Sequence, residues 1–157
     1  MNNRIWRIYV DSSAVSGVFD YHMPERVEQV KLFWQSLVDG KIRILASDVL
    51  GKEQEYAPQH VRDFFAALPE SQIERVFSTD ESDALAERYI AEGVVGESSL
   101  DDCKHIALAT IHRADVLVSW NFKHIVNINR IRGYNSVNLR LGYPVIEIRT
   151  PAEVIYD

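Results

Sequence analysis

The sequence contains a single cysteine, Cys103, among its 157 residues, which excludes both a disulfide framework and a cluster of thiolate metal ligands. No apolar run approaches the roughly 20 residues that a membrane-spanning helix requires. The first residues lead directly into a strand-like run, without the charged, apolar and small-residue regions of a secretory signal. These absences favour a cytoplasmic protein with no membrane association, and we expect one domain over residues 1–157.

Several motifs of common enzyme classes are also absent. There is no Gly-rich phosphate loop, no Gly-x-Ser-x-Gly motif and no dinucleotide fingerprint, which weakens the case for nucleotide-dependent transfer and serine hydrolysis. His105 and His112 are seven residues apart, but no His-Glu-x-x-His zinc motif accompanies them. Acidic side chains are the remaining candidates for a functional site. The chain has 23 Asp and Glu against 17 Lys and Arg, which gives a formal charge of −6. Carboxylate-rich sites of this kind favour Mg²⁺ or Mn²⁺.

Short apolar runs alternate with helical periodicity along the chain. Residues 5–10, 42–46, 73–77, 115–119 and 145–149 have the composition of buried strands. Helical patterns lie between them, whereas the stretch from 120 to 144 is mixed and polar. Strands that alternate with helices predict an α/β fold with a mostly parallel sheet covered on both faces. Ligands of such folds gather at the carboxyl ends of the strands.

Three acids occupy positions from which such a site could be built. Asp11 ends the first strand, Glu53 lies in the helix after the second strand, and Asp102 lies in the first turn of a helix with a clear apolar stripe. Carboxylates that converge on one crevice repel each other unless a divalent cation lies between them. The three acids therefore suggest metal-assisted chemistry on a phosphate ester.

Each acid also has an ordinary structural explanation. Asp11 could cap the following helix or close a turn, and Glu53 could be one of two exposed glutamates, since Glu55 points away from it. Asp101 and Asp102 both gain from the dipole at a helix start, where one acid is enough for capping. Sequence alone leaves these alternatives open.

The charged residues are unevenly distributed along the chain, although the net charge is negative. Residues 120–149 carry one acid, Glu147, against five basic residues: Lys123, Arg130, Arg132, Arg140 and Arg149. A basic segment beside an acidic cluster suits a nuclease, in which carboxylates hold metal and cations hold the nucleic acid backbone. It is equally compatible with a solvated helix face.

Taken together, the motifs are more specific than any single one. They are Asp11-Ser12-Ser13 after a strand, Ser47 with Glu53 six residues later, the run from Asp102 to Thr110, and Ser119-Trp120-Asn121-Phe122-Lys123-His124. This combination resembles PIN-domain proteins, and most of all the VapC-type toxin ribonucleases of bacterial type II toxin–antitoxin pairs. The resemblance covers nearly the whole chain.

The resemblance implies a Rossmann-like three-layer α/β/α PIN domain with a mostly parallel central sheet, and Mg²⁺- or Mn²⁺-dependent cleavage of RNA. By position, Asp11, Glu53 and Asp102 would be the metal-binding catalytic carboxylates. The auxiliary residues would be Asp101, Ser13, which would bond to Asp11, and Asn121. Asn121 stands at the fourth acidic position of the family, where a neutral oxygen would bind a second metal more weakly. An antitoxin partner and a homodimer are also implied.

The expected reaction is hydrolysis of an RNA phosphodiester by a metal-activated water. Lys123, Arg130 and Arg132 are the candidates for binding phosphates, and Trp120, Phe122 or Tyr134 could stack on a base. Two other functions stay open. One is a catalytically impaired RNA- or protein-binding module, which the Asn121 substitution favours. The other is a metal-dependent phosphoesterase acting on a small molecule.

Overall fold

A computed structural model describes residues 4–154, which form seven helices around five strands. The strands are β1 (Trp6–Val10), β2 (Ile42–Ser47), β3 (Ile73–Val76), β4 (Val116–Val118) and β5 (Ile148–Arg149). The helices are α1 (Ser12–Ser16), α2 (Pro24–Val38), α3 (Asp48–Glu55), α4 (Gln59–Ala66), α5 (Asp80–Ala91), α6 (Leu100–Ile111) and α7 (Ile128–Arg140). Within the described residues, no helix is long and apolar enough to cross a membrane.

The five strands form one sheet in the order β3-β2-β1-β4-β5, and every pairing is parallel. The chain starts at the central strand, builds β2 and β3 on one side, and then crosses to β4 and β5 on the other. The strand order therefore reverses between β1 and β4, and such a switch point opens a crevice at the carboxyl ends of the strands.

Alternate residues of the central strands enter two separate cores. Tyr9 packs with α5, α6 and α7 on one face, whereas Ile8 and Val10 pack with α1 and α2 on the other. Successive side chains of a strand point to opposite faces, so a strand covered on both sides is apolar throughout. The expected three-layer α/β/α architecture with a parallel sheet is thus confirmed.

Helix α7 lies in the stretch whose mixed polar composition predicted no element. Its inner face carries Asn138, which is fully buried and bonds to Tyr89 and Thr110, so polar residues interrupt the apolar period. Asn135, also on α7, bonds to both backbone groups of Ile146. The sequence predicted a strand from residue 145. Because the N–H and carbonyl groups of Ile146 bond to Asn135 instead of a neighbouring strand, β5 comprises only Ile148–Arg149.

Candidate active site

Asp11 lies directly after β1 and is almost completely buried, at 4% exposure. Its Oδ2 accepts a hydrogen bond of 2.5 Å from Ser119 Oγ, at the end of β4. Its Oδ1 accepts bonds from Ser13 Oγ at 2.7 Å and from the Ala14 N–H at 3.1 Å. The last bond makes Asp11 the N-cap of α1, so the capping interpretation is correct, while the two hydroxyls also hold the carboxylate at the switch point.

The electrostatic state of Asp11 reflects its burial. Removal from water raises the pKa of the carboxyl group, because the low-dielectric interior penalises the charged form. His105 and the hydrogen bonds from Ser119 and Ser13 oppose that effect without cancelling it. Asp11 is therefore a buried acid whose negative charge is only partly compensated by its neighbours.

Glu53 projects from α3 and meets a histidine of α6. His105 Nε2 lies 2.6 Å from Glu53 Oε1, and the histidine is 1% exposed. Since a carboxylate accepts, the imidazole N–H is the donor. Glu55 is exposed, so the two glutamates diverge as the helix spacing predicted. Glu53 Oε2 makes no hydrogen bond within residues 4–154.

A buried chain of polar groups stands behind His105. Its Nδ1 lies 2.6 Å from the Tyr9 hydroxyl, which lies 2.7 Å from Ser47 Oγ. Ser47 in turn caps α3 by accepting from the Leu50 N–H, so the chain links the start of α3 to a glutamate on the same helix. Burial lowers the pKa of His105, but the bond and charge of Glu53, together with the charges of Asp11 and Asp102, outweigh it, and the net shift is upward.

Asp102 lies in the first turn of α6 and is half-buried. Ser99, at the N-cap of α6, makes no side-chain capping bond. The Asp102 carboxylate instead faces His124 Nδ1 at 3.3 Å and Asn121 Nδ2 at 3.5 Å, both long contacts. Its carboxyl group faces the loop after β4.

The charges of the other two acids also affect Asp102. Burial contributes most to the raised pKa of its carboxyl group, His124 and His105 lower it, and repulsion from Asp11 and Glu53 raises it again. The fold thus brings Asp11, Glu53 and Asp102 into one electrostatic unit, called the acidic site below.

Asn121 stands beside the acidic site with its amide oxygen occupied. Oδ1 accepts from the backbone N–H groups of Lys123 and His124, at 3.1 and 3.0 Å, and so stabilises the turn after β4. Its amide nitrogen is the group that faces Asp102. The residue therefore adds no negative charge to the site.

The acidic site has the donor chemistry of a hard cation site, but its side chains are not arranged around one. Within residues 4–154, no three histidine, cysteine, aspartate or glutamate side chains are placed to hold a metal ion together. Glu53 is engaged by His105 and Asp102 by His124. Carboxylate oxygens are nevertheless the ligands that Mg²⁺ and Mn²⁺ prefer, and the repulsion felt by Asp102 is one that a cation offsets.

The other predicted residues lie at varied distances from this unit. Asp101 is exposed and lines a neighbouring cavity of about 260 Å³ together with Glu53, Lys52 and Lys104. Two of the three predicted phosphate-binding cations, Lys123 and Arg132, are exposed on the surface. The third, Arg130, donates to the carbonyl oxygen of Val94.

The prediction that Tyr134 could stack on a base is wrong. It is fully buried in the core, and its hydroxyl donates to the carbonyl oxygen of His124. Trp120 is half-buried and Phe122 is 44% exposed, so one aromatic face near the acidic site remains open.

Sequence reasoning missed the two histidines and Ser119. His105 stands three residues after Asp102 on α6, and residues at that spacing share a helix face, which is the signal that could have placed it in the site. Ser119 ends a predicted strand, and Asp11 directly follows one. His124 carries no local signal, because the turn that carries it is positioned by Asn121 rather than by a periodic element.

Neither protein-family models nor curated proteins match this sequence. Among solved structures, a chain in the crystal structure of VapBC2 from Rickettsia felis, bound to a DNA fragment from their promoter, is similar to it. The TM-score is 0.55 and the identity 12%, and the match covers 92% of this chain and 98% of that one. The chain therefore has a PIN-like three-layer α/β/α fold, and the fold that the sequence resemblance implied is confirmed.

Proposed function

We propose that this protein is a metal-dependent ribonuclease that hydrolyses RNA phosphodiester bonds, acting as the toxin of a bacterial toxin–antitoxin pair in the cytoplasm. The observation that carries the proposal is the acidic site itself: three carboxylates, one of them nearly fully buried, whose charges interact at the switch point of a PIN-like sheet. Uncompensated acids in such a place are costly to stability, and perturbed carboxylates in a crevice are typical of active sites.

Asp11, Glu53 and Asp102 would hold Mg²⁺ or Mn²⁺. Glu53 has a carboxylate oxygen outside its contact with His105, and the contacts of Asp102 are long enough to be exchanged readily. When bound, a divalent cation lowers the pKa of a coordinated water and offsets charge on phosphate oxygens.

The remaining residues position the acids. Ser13 and Ser119 fix both oxygens of Asp11, and His105 fixes one oxygen of Glu53. A water attacking phosphorus in line with the departing 3′ oxygen leaves a 5′-phosphate on one product and a 3′-hydroxyl on the other. In this proposal, Lys123 and Arg132 bind phosphates outside the acidic site, whereas Asp101 is exposed beside that site and does not take part in metal binding.

Two partners belong to the same proposal. The similarity to a chain of VapBC2 supports an antitoxin as the partner protein. In this proposal, a basic side chain of that partner reaches the acidic site. A homodimer is the expected oligomeric state. Both can be tested by co-expression with the neighbouring reading frame and by measuring the mass in solution.

A second candidate is an RNA- or protein-binding module that has lost turnover. It is favoured by the amide at Asn121 and by the histidine contacts of Glu53 and Asp102, which leave no group of described side chains ready to hold a metal. This candidate requires RNA or partner binding without metal, and that binding would survive the loss of Asp11.

The deciding experiment maps RNA ends. Total bacterial RNA is incubated with the wild type and Mn²⁺, and new 5′-phosphate ends are sequenced. We expect ends that disappear with Asp102→Asn and persist with Asp101→Asn, because Asp101 is exposed beside the site rather than part of it. RNA that is bound but never cut, with metal present, supports the second candidate.

A further inference from the structure

We propose that Arg26, Trp120 and Phe122, called the aromatic platform below, bind a nucleotide of a single-stranded RNA next to the acidic site. The platform would stack one base and contact one phosphate, and so extend the substrate beyond the cleaved bond. This inference rests on the ribonuclease function proposed above, and it assigns a specific contact to that substrate.

The three side chains form a compact cation–aromatic group. The guanidinium carbon of Arg26 lies 5.0 Å from the centre of the Trp120 ring and 5.2 Å from that of Phe122. The two rings are 6.0 Å apart and tilted by 58°. A guanidinium held against ring faces keeps the N–H groups on its edge available for a phosphate.

Arg26 forms no ion pair with an acid among the residues that the structure describes. Among residues 4–154, the ion pairs of arginine involve Arg4, Arg7, Arg75, Arg88, Arg140 and Arg149. Arg26 forms none of them, and its side chain makes no hydrogen bond in this part of the chain. In a protein with a formal charge of −6, an unpaired and half-buried cation is a local attraction for an anion.

Beside the platform lies an open groove with room for a nucleotide. The groove measures about 440 Å³, and Arg26 and Trp120 line it together with His22, Gln29 and one acid, the exposed Glu25. Volumes of a few hundred cubic ångströms are typical of sites for small ligands. Phe122 is 44% exposed, so its ring offers apolar surface to a base.

The platform is tied directly to the acidic site. The backbone N–H of Trp120 donates to Ser13 Oγ at 2.9 Å, and Ser13 donates to Asp11 at 2.7 Å. A Cβ atom on Gly17 would lie 3.2 Å from the Trp120 ring, so the absent side chain lets the ring rest against the segment after α1. A strand bound at the acidic site would therefore have the platform as a neighbouring surface.

An RNA strand fits these features better than an acidic peptide does. Aromatic faces combined with arginine are typical of proteins that bind single-stranded nucleic acid, because every base has a face that can stack. An acidic peptide would satisfy Arg26 but would leave the exposed ring of Phe122 without a matching group. The observations therefore favour RNA as the occupant.

The test measures RNA binding without cleavage. Fluorescence anisotropy with a 5′-labelled decauridylate and with an abasic ribose-phosphate decamer, both in EDTA, separates stacking from phosphate contact. We expect Phe122→Leu to weaken decauridylate binding about fivefold or more and to leave the abasic decamer unchanged. Arg26→Gln should weaken both oligonucleotides and reduce the salt slope by about 0.7, the value for one phosphate of a single strand.

Lys31→Gln is the matched control. It removes one positive charge from the same helix, and Lys31 is exposed and outside the platform. Its effect should stay below twofold. Circular dichroism verifies that each variant is folded before binding is compared.

Three results would overturn the inference: no decauridylate binding by the wild type, equal binding by wild type and Phe122→Leu, or equal losses in Arg26→Gln and Lys31→Gln. Displacement of the RNA by a decaglutamate peptide at lower concentration than by unlabelled decauridylate would assign the platform to a protein partner instead. None of these results would contradict the ribonuclease proposal, because that proposal depends on cleavage that Asp102→Asn abolishes.

Discussion

His105 Nε2 lies 2.6 Å from Glu53 Oε1, so a fully buried imidazole on α6 fixes a carboxylate on α3. Behind it, the Tyr9 hydroxyl and Ser47 Oγ complete a buried chain of direct hydrogen bonds. A buried network of this kind is rigid when every member is satisfied and costly when one is removed. The orientation of Glu53 is thus determined from the centre of the sheet.

Tyr9→Phe tests that chain. The change removes the hydroxyl shared by Ser47 and His105, and leaving buried polar groups unpaired should lower the free energy of unfolding by about 1–3 kcal/mol. Because Glu53 loses its orientation, we also expect weaker Mn²⁺ binding and slower RNA cleavage. Chemical denaturation, calorimetry and a cleavage assay measure the three effects.

Tyr89→Phe is the control for this prediction. Tyr89 is equally buried and its hydroxyl donates to Asn138, away from the acidic site. It should show a similar loss of stability with unchanged Mn²⁺ binding. If both variants affect Mn²⁺ binding alike, the chain behind His105 has a structural role only.

Ser13→Ala tests the positioning of Asp11. The hydroxyl of Ser13 donates to Asp11 and accepts from the Trp120 N–H, so its loss leaves one carboxylate oxygen less restrained and one backbone donor unpaired. We expect Mn²⁺ affinity to fall about tenfold, as is usual for residues that orient metal ligands. Ser12→Ala, on the same helix, should bind as the wild type does, and equal effects in the two variants would contradict the role of Ser13.

Asn121→Asp tests the missing fourth acid. An aspartate could still accept from the Lys123 and His124 N–H groups, but it would add a charge next to Asp102, at the 3.5 Å contact that Asn121 now makes. We expect tighter Mn²⁺ binding, by about tenfold, because cation affinity rises with ligand charge. Without metal, the variant should be less stable by on the order of 1 kcal/mol.

Asn127→Asp provides the comparison. Asn127 caps α7 through the same kind of bonds, to Asn129 and Arg130, and lies outside the acidic site. Its change should leave Mn²⁺ affinity unaltered. Tighter binding in both variants would attribute the effect to net charge rather than to position 121.

Asp102→Asn should make the metal-free protein more stable. Burial first, and then repulsion from Asp11 and Glu53, raises the pKa of Asp102 in the folded state, so the charged carboxylate is a cost to folding at neutral pH. Removing that charge should stabilise the protein by up to about 1 kcal/mol. The advantage should shrink as pH falls through the raised folded pKa, because the wild-type group then also becomes neutral.

Thermal unfolding in EDTA between pH 4 and 8 follows this difference. Asp101→Asn serves as the reference, because Asp101 is exposed and in the same helical turn. A variant that is less stable than the wild type at neutral pH would instead give Asp102 a structural role at the start of α6.

Much of the fold follows from local sequence pattern. Apolar runs that end in Asp11 and Ser119 predicted central strands, because a strand buried on both faces has no polar alternation. Helix α7 escaped prediction because it buries Asn138, whose partners Tyr89 and Thr110 are distant in sequence. A polar residue whose partners come from other elements carries no local signal.

The candidate site divides in the same way. Asp11 could be found because it follows a predicted strand, and Asp102 because it lies in the first turn of a predicted helix, whereas Glu53 was singled out by its spacing from Ser47 in the family resemblance. The roles of His105 and His124 depend on α3, α6 and the turn after β4 meeting in space, as does the contact of Arg26 with Trp120. Such contacts are set by tertiary packing, and the local pattern of a single sequence does not indicate them.

The most direct measurement is a calorimetric titration of Mn²⁺ into the wild type, Asp102→Asn and Asp101→Asn. We expect saturable binding by the wild type and by Asp101→Asn, and its loss in Asp102→Asn. No binding by the wild type, or equal binding by wild type and Asp102→Asn, would contradict a metal site built from Asp11, Glu53 and Asp102. The RNA- or protein-binding module would then be the better account of this fold.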